Sequence, residues 1–520
     1  MIDTNALRKK VLDLAIRGKL VPQNPNDEPA SILLERIREE KQRLIREGKI
    51  KKEKVDSIIF RGEDNCHYEK IGKDIVCIEE ELKDFDFPAS WAICRLITIA
   101  DIYNGNSINE SDKKKYYTGL TDGYNYIGTK DIGFDHIIDY ENGVKIPFNN
   151  DKFRIAYKDS PLLCIEGGSA GRKIAILEED VCFGNKLCAF RSFGIVPKFL
   201  YYYLQSPLFV NIFKSKTTGL IGGVSINTIK ELFFAIPPIE EQKRIVVYLE
   251  EVFEVIDLIE KKQNNYANLV EVLKSAILKS AIQGTLVEQS EDDEPASVLL
   301  EKIRQEKKTQ LGKKYVESYI YKSDDNRYYE HIGDNDVDIT EEIPYDLPKN
   351  WCWSRVESLC LKEIKRGKAP KYVEDGEILV FAQKCNTKRG IIDITLSKKL
   401  DISTLKKYAD DDFMQSGDIV INSTGTGTLG RVGIYEPIDN SVRIVPDSHV
   451  TTIRVSSNIL PKFVYLFLKS KQSFIEGLGE GSTNQKELST TTVKTLFVPI
   501  PPLAEQERIV SKINEIFTQL

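Results

Sequence analysis

The segment IPPIEEQKRIV at residues 236–246 returns almost unchanged as IPPLAEQERIV at residues 500–510. Three further pairs of segments repeat at a similar separation: 27–41 with 293–307, 87–96 with 347–356, and 196–206 with 460–470. The offsets are about 260 to 266 residues, far longer than the roughly 20–50-residue period of a solenoid. The sequence therefore predicts one duplicated, domain-sized unit.

The boundaries of the duplicated unit do not coincide with the two ends of the chain. Residues 7–21 (LRKKVLDLAIRGKLV) align with residues 273–287 (LKSAILKSAIQGTLV), and the segment that follows the second IPP motif stops within the matching helix. Each end of the chain thus holds part of a helix that the middle holds whole. This pattern predicts a circularly permuted repeat whose halves are related by a pseudo-two-fold axis.

A long helix is predicted from Glu240 to Gln283. Pro237 and Pro238 end the preceding strand, and the acidic residues that follow suit the positive end of a helix dipole. Apolar residues then recur at alternating steps of four and three, which is the heptad pattern of a coiled coil. The heptad positions are Ile245, Leu249, Val252, Ile256 and Ile259, continuing through Tyr266, Val270, Leu273 and Ile277, with Ile509, Ile513 and Ile516 in the second copy.

The predicted partner of the long helix is its own repeat, packed antiparallel so that the two halves form a rod. The alternative interpretation is two core helices that belong to separate domains. A strict 3.5-residue period over this length favours the coiled coil, because a helix of a globular core does not need it.

Two blocks between the helical segments, residues 91–234 and 351–498, predict α+β domains. In both blocks short β-prone runs alternate with turn-rich loops. Each block also carries an aromatic helix that opens with proline, at residues 197–206 and 461–470. The blocks resemble each other at their edges and differ in their loops, so we expect a shared frame with dissimilar surfaces.

The run GTGTLG at residues 425–430 fits the pattern of a dinucleotide-binding loop. Such a loop must open a helix, whereas RVGIYEP follows here and is strand-like. A β-hairpin whose glycine-rich tip carries Arg431 is the better interpretation, with Gly171 and Arg172 in the corresponding place of the first block. A tip of this kind can approach a phosphate or a base edge closely.

Composition excludes several classes of protein. Hydrophobic residues make up 41% and charged residues 29% of the 520, which is typical of a globular chain. The nine cysteines include no C-x-x-C pair and the four histidines are scattered, so neither a zinc site nor a disulfide framework is predicted. No run approaches 18 apolar residues, and we expect a cytoplasmic protein without a membrane segment.

No catalytic constellation is predicted. The chain lacks the G-x-x-x-x-G-K-[ST] loop of nucleotide-dependent motors. Both Pro-Pro pairs open helices and do not form the Asn/Asp-Pro-Pro-aromatic motif of amino-methyltransferases. Ser448 and His449 are adjacent without the context of a catalytic triad. We therefore expect a protein that is not an enzyme.

Basic clusters lie in the two blocks, although the net charge of the whole chain is −6. They are DKKKYY at residues 112–117, KRGKAPKY at 365–372 and QKCNTKRG at 383–390. Any one cluster could be a solvated face. Together with the arginine-tipped hairpins and the amide- and hydroxyl-rich loops at 222–228 and 481–487, they favour DNA binding.

The two blocks headed by Trp91 and Trp351, the repeated P-P-x-x-E-Q helix start and the long central helix resemble the specificity subunit of type I restriction–modification systems. The resemblance covers nearly the whole chain and includes AIQGTLVEQSEDDEPASVLLEKIRQEK at residues 281–307. SHVTTIR at 448–454 also resembles the recognition-domain pattern of the family. The first block departs from that pattern, because FGNKLCAFR at 183–191 stands in the corresponding place.

The resemblance implies that each block is a target recognition domain that reads one half of a bipartite, asymmetric double-stranded DNA site. The repeated helices would set the spacing between the halves and would dock two modification subunits. Those subunits would bind S-adenosylmethionine and methylate adenine, while restriction subunits would use ATP and Mg²⁺. We expect no cofactor or metal on this chain itself.

The predicted domains follow the repeat. They are an N-terminal helical segment at 1–60, a first recognition domain at 61–235, a central region with the spacer helix at 236–320, a second recognition domain at 321–499 and a C-terminal helix at 500–520.

Loop residues of both blocks are predicted to contact DNA. They are Thr129, Lys130, Ser169, Arg172, Asn185, Gln383, Lys384, Thr426, Arg431, Ser448 and His449. Lysine and arginine would contact phosphate or guanine, and asparagine and glutamine favour adenine. The alternatives are a coiled-coil scaffold that links two protein-binding domains without touching DNA, and a self-contained methyltransferase.

Overall fold

The computed structural model describes residues 1–52, 57–217, 222–388, 390–425, 427–437, 439, 441–482 and 485–520. The chain divides into two compact units, Met1–Asn264 and Asn265–Leu520. Each unit has its own hydrophobic core. In the described part of the chain no helix is both long enough and apolar enough to cross a membrane.

The first unit contains both helices and short strands. Its helices are α1 (Thr4–Ile16), α2 (Ala30–Arg46), α3 (Leu96–Ile99), α4 (Glu110–Asp112), α5 (Pro197–Gln205), α6 (Pro207–Ser215), α7 (Ile226–Lys230) and α8 (Ile239–Ile282), which continues into the second unit. Its strands are β1 (Ser57–Arg61), β2 (His67–Ile71), β3 (Asp74–Cys77), β4 (Ala92–Arg95), β5 (Ala100–Asn104), β6 (Tyr124–Ile127), β7 (Lys145–Ile146), β8 (Ile155–Ala156), β9 (Pro161–Cys164), β10 (Ile174–Ile176), β11 (Val181–Phe183), β12 (Leu187–Ser192) and β13 (Phe233–Ile236).

The second unit repeats most of this order of elements. Its further helices are α9 (Ala296–Leu311), α10 (Pro461–Ser470), α11 (Gln472–Gly477), α12 (Thr490–Lys494) and α13 (Leu503–Gln519). Its strands are β14 (Ser318–Lys322), β15 (Tyr328–Ile332), β16 (Asn335–Asp338), β17 (Cys352–Arg355), β18 (Lys365–Arg366), β19 (Tyr372–Val373), β20 (Leu379–Phe381), β21 (Lys398–Leu400), β22 (Ile419–Asn422), β23 (Val432–Ile434), β24 (Ile444–Pro446), β25 (Val450–Ile453), β26 (Glu480–Ser482), β27 (Gln485–Glu487) and β28 (Phe497–Ile500).

The α+β domains of the two units share the strand order of one sheet and the parallel pair of a second sheet, whose outer strands differ (β7-β6-β11-β8 against β19-β21-β20-β24). A four-stranded sheet has the order β10-β9-β12-β5 in the first unit and β23-β22-β25-β18 in the second. A second sheet in each domain contains a parallel pair, β6 with β11 and β20 with β24. The predicted α+β fold is confirmed, and so is the predicted hairpin, because β9 pairs antiparallel with β10 and β22 with β23.

Each unit also contains a three-stranded antiparallel sheet that the sequence analysis missed. The sheets are β1-β2-β3 and β14-β15-β16, with the same register. A repeat was available as a signal, since DNCHYEKIG at residues 64–72 returns as DNRYYEHIG at 325–333. Ring pairs stack on the outer face at equivalent positions, Phe60 with Tyr68 and Tyr321 with Tyr329.

The predicted long helix is confirmed as α8, and within the first unit it packs antiparallel against α1. The backbone N–H of Ile2 donates to the Gln263 side chain at 2.9 Å, and the Gln263 amide donates back to the Ile2 carbonyl at 3.1 Å. Further along, Arg8 pairs with Asp257 and lies over the ring of Phe253, 5.2 Å from its centroid. The partner number falls as the α1 number rises, so the two helices run in opposite directions.

The second unit contains the matching pair. The Lys274 ammonium group of α8 lies 5.8 Å from the ring centroid of Phe517 in α13. This contact corresponds to that of Arg8 with Phe253. The last residues of α8, Ile277, Ala281 and Ile282, share one core with α13. Each unit therefore contains an antiparallel pair formed by its first and its last helix. The N-terminal part of α8 is the last helix of the first unit, and the C-terminal part of α8 is the first helix of the second unit.

The repeated IPP motif holds the segments of the first unit together. The Trp91 indole N–H donates to the Glu241 carboxylate at 3.0 Å, and the Gln23 amide donates to the same oxygen at 2.6 Å. The next side chain, Gln242, accepts from the Val196 backbone N–H at 2.9 Å. The Arg244 guanidinium then forms two hydrogen bonds with Asp27, at 2.6 and 3.2 Å.

The second unit repeats every one of these contacts. Trp351 donates to Glu505 at 2.9 Å and Gln289 donates to Glu505 at 3.3 Å. The Leu460 N–H donates to Gln506 at 3.0 Å, and Arg508 pairs with Asp293 at 2.6 Å. The four repeated segments found in the sequence are the four segments that meet here. We call this set of hydrogen bonds the helix-start network.

Removal of the indole donor tests the helix-start network. In Trp351→Phe the buried Glu505 carboxylate keeps only the longer hydrogen bond from Gln289. We expect the free energy of unfolding to fall by about 1–3 kcal/mol, because a buried acceptor loses its partner. Urea unfolding followed by circular dichroism measures this loss. In Trp351→Phe/Glu505→Gln part of the loss should be recovered, since no buried charge remains; a change below about 0.5 kcal/mol in Trp351→Phe would contradict the role of the network.

The pH dependence of the free energy of unfolding provides a second test of the same glutamates. Burial raises the pKa of Glu505, and of Glu241 in the first unit, above the ordinary value of 4.5. A carboxyl group whose pKa is higher in the folded state holds its proton more tightly when folded. Its contribution to stability is therefore complete below the ordinary pKa and is lost as the pH rises through the raised value. Relative to the unsubstituted chain, Glu505→Gln should therefore gain stability as the pH rises above about 4.5.

Candidate DNA interface and spacer helices

Three loops of the α+β domain in the first unit converge at one end of its sheets. They follow β6, join β9 to β10, and join β11 to β12. The Lys173 ammonium group donates to the Thr129 carbonyl at 3.0 Å, which links the second loop to the first. The Lys186 ammonium group lies 3.6 Å from the Glu166 carboxylate, which links the third loop to the second. The structure therefore brings together the loops that carry Thr129, Lys130, Ser169, Arg172 and Asn185.

The side chains predicted to contact DNA at this end of the first domain differ in their exposure and in their contacts within the domain. Lys130 and Asn185 are exposed, while Thr129 and Ser169 are half-buried. Arg172 is exposed but is held by its own loop, because it donates to the Gly168 carbonyl and lies 5.1 Å from the Phe134 ring centroid. The predicted contacts of these residues with DNA stay predictions.

The second domain brings the equivalent loops together with different side chains. The Gln383 amide donates to the Thr424 carbonyl at 2.8 Å, and the Thr424 hydroxyl lies 2.8 Å from His449 Nδ1. The Ser423 backbone N–H also donates to the His449 carbonyl at 2.8 Å. Lys384 and His449 are exposed and Ser448 is half-buried. Thr426 lies outside the described residues.

Arg431 has a structural role that its position in the sequence does not show. One terminal nitrogen of its guanidinium donates to the Asn386 carbonyl at 2.7 Å, and the other donates to the Gly427 carbonyl at 2.9 Å. The side chain thus joins the hairpin tip to the loop after β20.

A glycine brings a further strand into each candidate interface. Gly105 follows β5 and Gly367 follows β18. A Cβ atom at Gly105 would lie 1.8 Å from the Phe183 carbonyl oxygen, and one at Gly367 would lie 2.0 Å from the Pro446 carbonyl oxygen. Only glycine permits so close a backbone approach. The two domains therefore share this constraint as well as the strand order of their first sheet.

The basic segment at residues 365–372 offers fewer free cations than its sequence indicates. Lys365 and Lys368 contact Asp412 at 2.8 and 2.6 Å. Although burial acts in the opposite direction, hydrogen bonds from these two lysines hold the pKa of Asp412 well below its ordinary value. Arg366 pairs with Glu487 at 3.1 Å and Lys371 with Asp401 at 2.8 Å. This cluster stabilises the domain by internal ion pairs.

The predicted spacer residues are mostly buried. Ile245 and Leu249 lie in the first core with Val252 packed against them, Ile256 is buried, and Ile259 is half-buried. In the second unit Ile509 and Ile513 lie in the core, with Ile516 packed against it.

The predicted seam is not continuous along α8. Tyr266 is 58% exposed and Leu273 is 45% exposed, so the expectation of a buried seam is wrong at these two positions. The reason is the length of the partner helix: Ile2, just before α1, already lies against Gln263. Other large apolar side chains of α8 are also exposed, namely Val247, Tyr248, Val255, Leu258, Leu269 and Val272.

Comparison with known proteins identifies the duplicated domain. A family model described as the type I restriction modification DNA specificity domain matches residues 88–267 and again residues 348–520. The two units therefore carry two copies of one specificity domain. The chain belongs to the family of type I restriction–modification specificity subunits.

Individual relatives extend over nearly the whole chain. The specificity subunit of the type I restriction enzyme EcoAI from Escherichia coli is 29% identical over 98% of this chain and 88% of its own length. The EcoEI specificity subunit from Escherichia coli is 24% identical over the same shares. A chain from a solved structure on complex assembly and conformational transition of the type I R-M system aligns with a TM-score of 0.56 at 16% identity, covering 83% of this chain and 91% of that one. It has the same fold.

The link made by Arg431 can be tested without DNA. In Arg431→Ala the Asn386 and Gly427 carbonyls lose their shared donor, and each hydrogen bond to a charged group is worth about 1.5–3 kcal/mol. We expect amide hydrogen exchange of the loops at residues 383–388 and 422–430 to accelerate about tenfold or more. Mass spectrometry of exchanged peptides measures the effect. Arg172→Ala, the matched control in the first unit, should leave these peptides unchanged, and unaltered exchange in Arg431→Ala would show that the link does not hold the loops.

Proposed function

We propose that each recognition domain of this chain reads one half of a bipartite, asymmetric DNA site. The observation that carries the proposal is the convergence of equivalent loops with unlike side chains in the two domains. The converging loops of the first domain carry Thr129, Ser169 and Asn185. Those of the second domain carry Gln383, Thr424 and His449. A shared frame places both sets alike, while the difference in side chains suits two different half-sites.

The chemistry of the loops suits contact with both the DNA backbone and the bases. Lys130, Lys186 and Lys384 are exposed and would contact phosphates, which position a protein on the duplex. Amide and hydroxyl side chains beside them would contact base edges in the grooves, where sequence is read.

The α-helical pairs would set the spacing between the half-sites. α8 is 44 residues long and forms a buried contact with α1 at one end and with α13 at the other. A helix has little internal freedom because its backbone hydrogen bonds are satisfied within itself. It is therefore suited to hold two recognition domains at a set separation.

Other subunits would perform the chemistry. The exposed apolar residues Val255, Leu258, Leu269 and Val272 on α8 support a docking surface, since clustered apolar exposure marks protein interfaces. We propose that two modification subunits dock on the helices and that restriction subunits join this core. S-adenosylmethionine, ATP and Mg²⁺ would be bound by those subunits, and this chain would not be catalytic.

Retention on DNA distinguishes this proposal from a scaffold that never touches DNA. The full chain should bind immobilised duplex DNA at low salt, and Lys130→Gln/Lys186→Gln should lower the slope of log affinity against log salt by about one for each lost phosphate contact. Lys302→Gln on α9, where Lys302 pairs with Glu294, is the control and should keep the original slope. A chain that is not retained at any salt concentration would favour the scaffold.

Deletion of one heptad tests the spacer role. Removal of residues 266–272 shortens α8 by about 10.5 Å between its contacts with α1 and α13. We expect the gap between the methylated half-sites to shrink by about 3 base pairs, at about 3.4 Å per base pair. Sequencing of DNA methylated by the complex with its modification subunits measures the gap. Replacement of the same seven residues by another helix-forming heptad should keep the gap, whereas an unchanged gap in the deletion would exclude the spacer role.

A further inference from the structure

Three side chains from three loops of the second domain form a hydrogen-bonded chain at the candidate interface. Gln383 Nε2 donates to both the carbonyl and the hydroxyl oxygen of Thr424. The same hydroxyl lies 2.8 Å from His449 Nδ1. Gln383 and Thr424 are half-buried, and His449 is exposed. The order Gln383–Thr424–His449 is fixed by backbone that β20, β22 and β25 position.

The direction of each proton in this chain follows from the groups present. A backbone carbonyl only accepts, so the Gln383 atom beside the Thr424 carbonyl must be the amide nitrogen. Both hydrogens of that nitrogen are then used, one on the carbonyl and one on the hydroxyl oxygen. The hydroxyl oxygen accepts from Gln383, and its own hydrogen is satisfied when it is donated to His449 Nδ1. A neutral imidazole that accepts at Nδ1 carries its hydrogen on Nε2.

We propose that Thr424 fixes the outward hydrogen-bonding pattern of this domain as one donor, His449 Nε2–H, beside one acceptor, Gln383 Oε1. This inference rests on the proposed function and adds the base that the pair reads. In the major groove adenine presents an acceptor, N7, beside a donor, N6–H₂, whereas guanine presents two acceptors, N7 and O6. The pair therefore complements adenine and leaves Gln383 Oε1 facing a second acceptor when the base is guanine.

This arrangement differs from the usual contact of glutamine with adenine. Glutamine alone normally supplies both the donor and the acceptor to an adenine edge. Here the amide hydrogens of Gln383 are committed to Thr424, so the donor has to come from His449. Thr424 acts as a positioning residue, because it orients both readers without contacting the base itself.

Among the described residues of the first domain, no equivalent chain of hydrogen bonds is formed. The backbone of Glu166 bridges to Gly223 in the place where Thr424 bridges to Glu487. A carboxylate at that position has no hydrogen to donate, and Glu166 pairs instead with Lys186 at 3.6 Å. We therefore expect the adenine preference set by Thr424 to be confined to the half-site that the second domain reads.

The imidazole tautomer can be measured without DNA. Long-range ¹H–¹⁵N correlation spectra of the full chain labelled at histidine report which ring nitrogen carries hydrogen, and His449→Asn assigns the signal among the four histidines. The inference requires His449 to be the Nε2–H form, with Nδ1 unprotonated. An Nδ1–H form in the unsubstituted chain would overturn it, whatever the outcome of any DNA experiment.

Base preference is tested in the complex with modification subunits. A plasmid library with randomised half-sites is methylated and sequenced for the unsubstituted chain, Thr424→Val and Thr424→Ser. Thr424→Val has nearly the same shape but no hydroxyl, so the preference for adenine at one position of the second half-site should fall about tenfold, as expected for one lost base contact. Thr424→Ser keeps the hydroxyl and should keep the preference, and the first half-site should not change in either variant.

The outcomes separate the two proposals. If the unsubstituted complex methylates no bipartite motif, the proposed function fails. If it does, but Thr424→Val keeps the same motif or relaxes the first half-site, only the role of Thr424 is overturned. Loss of the motif in Thr424→Ser as well would also overturn it, because that variant retains the proposed hydroxyl.

Discussion

A buried carboxylate at the first turn of a helix, satisfied by an indole N–H, is the interaction on which each unit depends. Glu241 and Glu505 are each only 1% exposed, and such a group is costly to bury unless every hydrogen bond is made. Because the donors and neighbours come from four separate segments, those segments can meet in only one arrangement. This explains why the side chains that form the network are the same in the two copies, Trp91 with Trp351 and Glu241 with Glu505 among them, while the loops between the segments have diverged.

The sequence predicted those features that depend on local pattern. The bounds of α8, the hairpin around Gly425–Gly430 and the proline-opened aromatic helices all follow from periodicity or from residues with one backbone preference. The seam at Tyr266 and Leu273 was wrongly predicted, because periodicity shows which face of a helix is apolar and does not show where the partner helix ends. The three-stranded sheets were missed although their repeat was visible.

The candidate interface was predictable only in part. Residue type and loop position pointed to Gln383, Arg431 and His449, which the structure places in loops that contact one another; their contacts with DNA stay predictions. Thr424 could not be found in this way, because its role is set by contacts with residues 41 and 25 positions away in the chain. Charge counting also misled at Lys365, Arg366 and Lys368, because the sequence does not show which acidic side chains neutralise them.

Because α8 runs from one unit into the other as a single helix, any change in its length both shifts and rotates the residues that follow. Each residue added to that stretch advances the following chain by about 1.5 Å and turns it by about 100°. Seven residues come within about 20° of two complete turns, so that the same apolar face is presented again. Viable changes in the length of this helix are therefore expected in steps of about seven residues, because only such a step returns the apolar face of α8 to nearly the same direction.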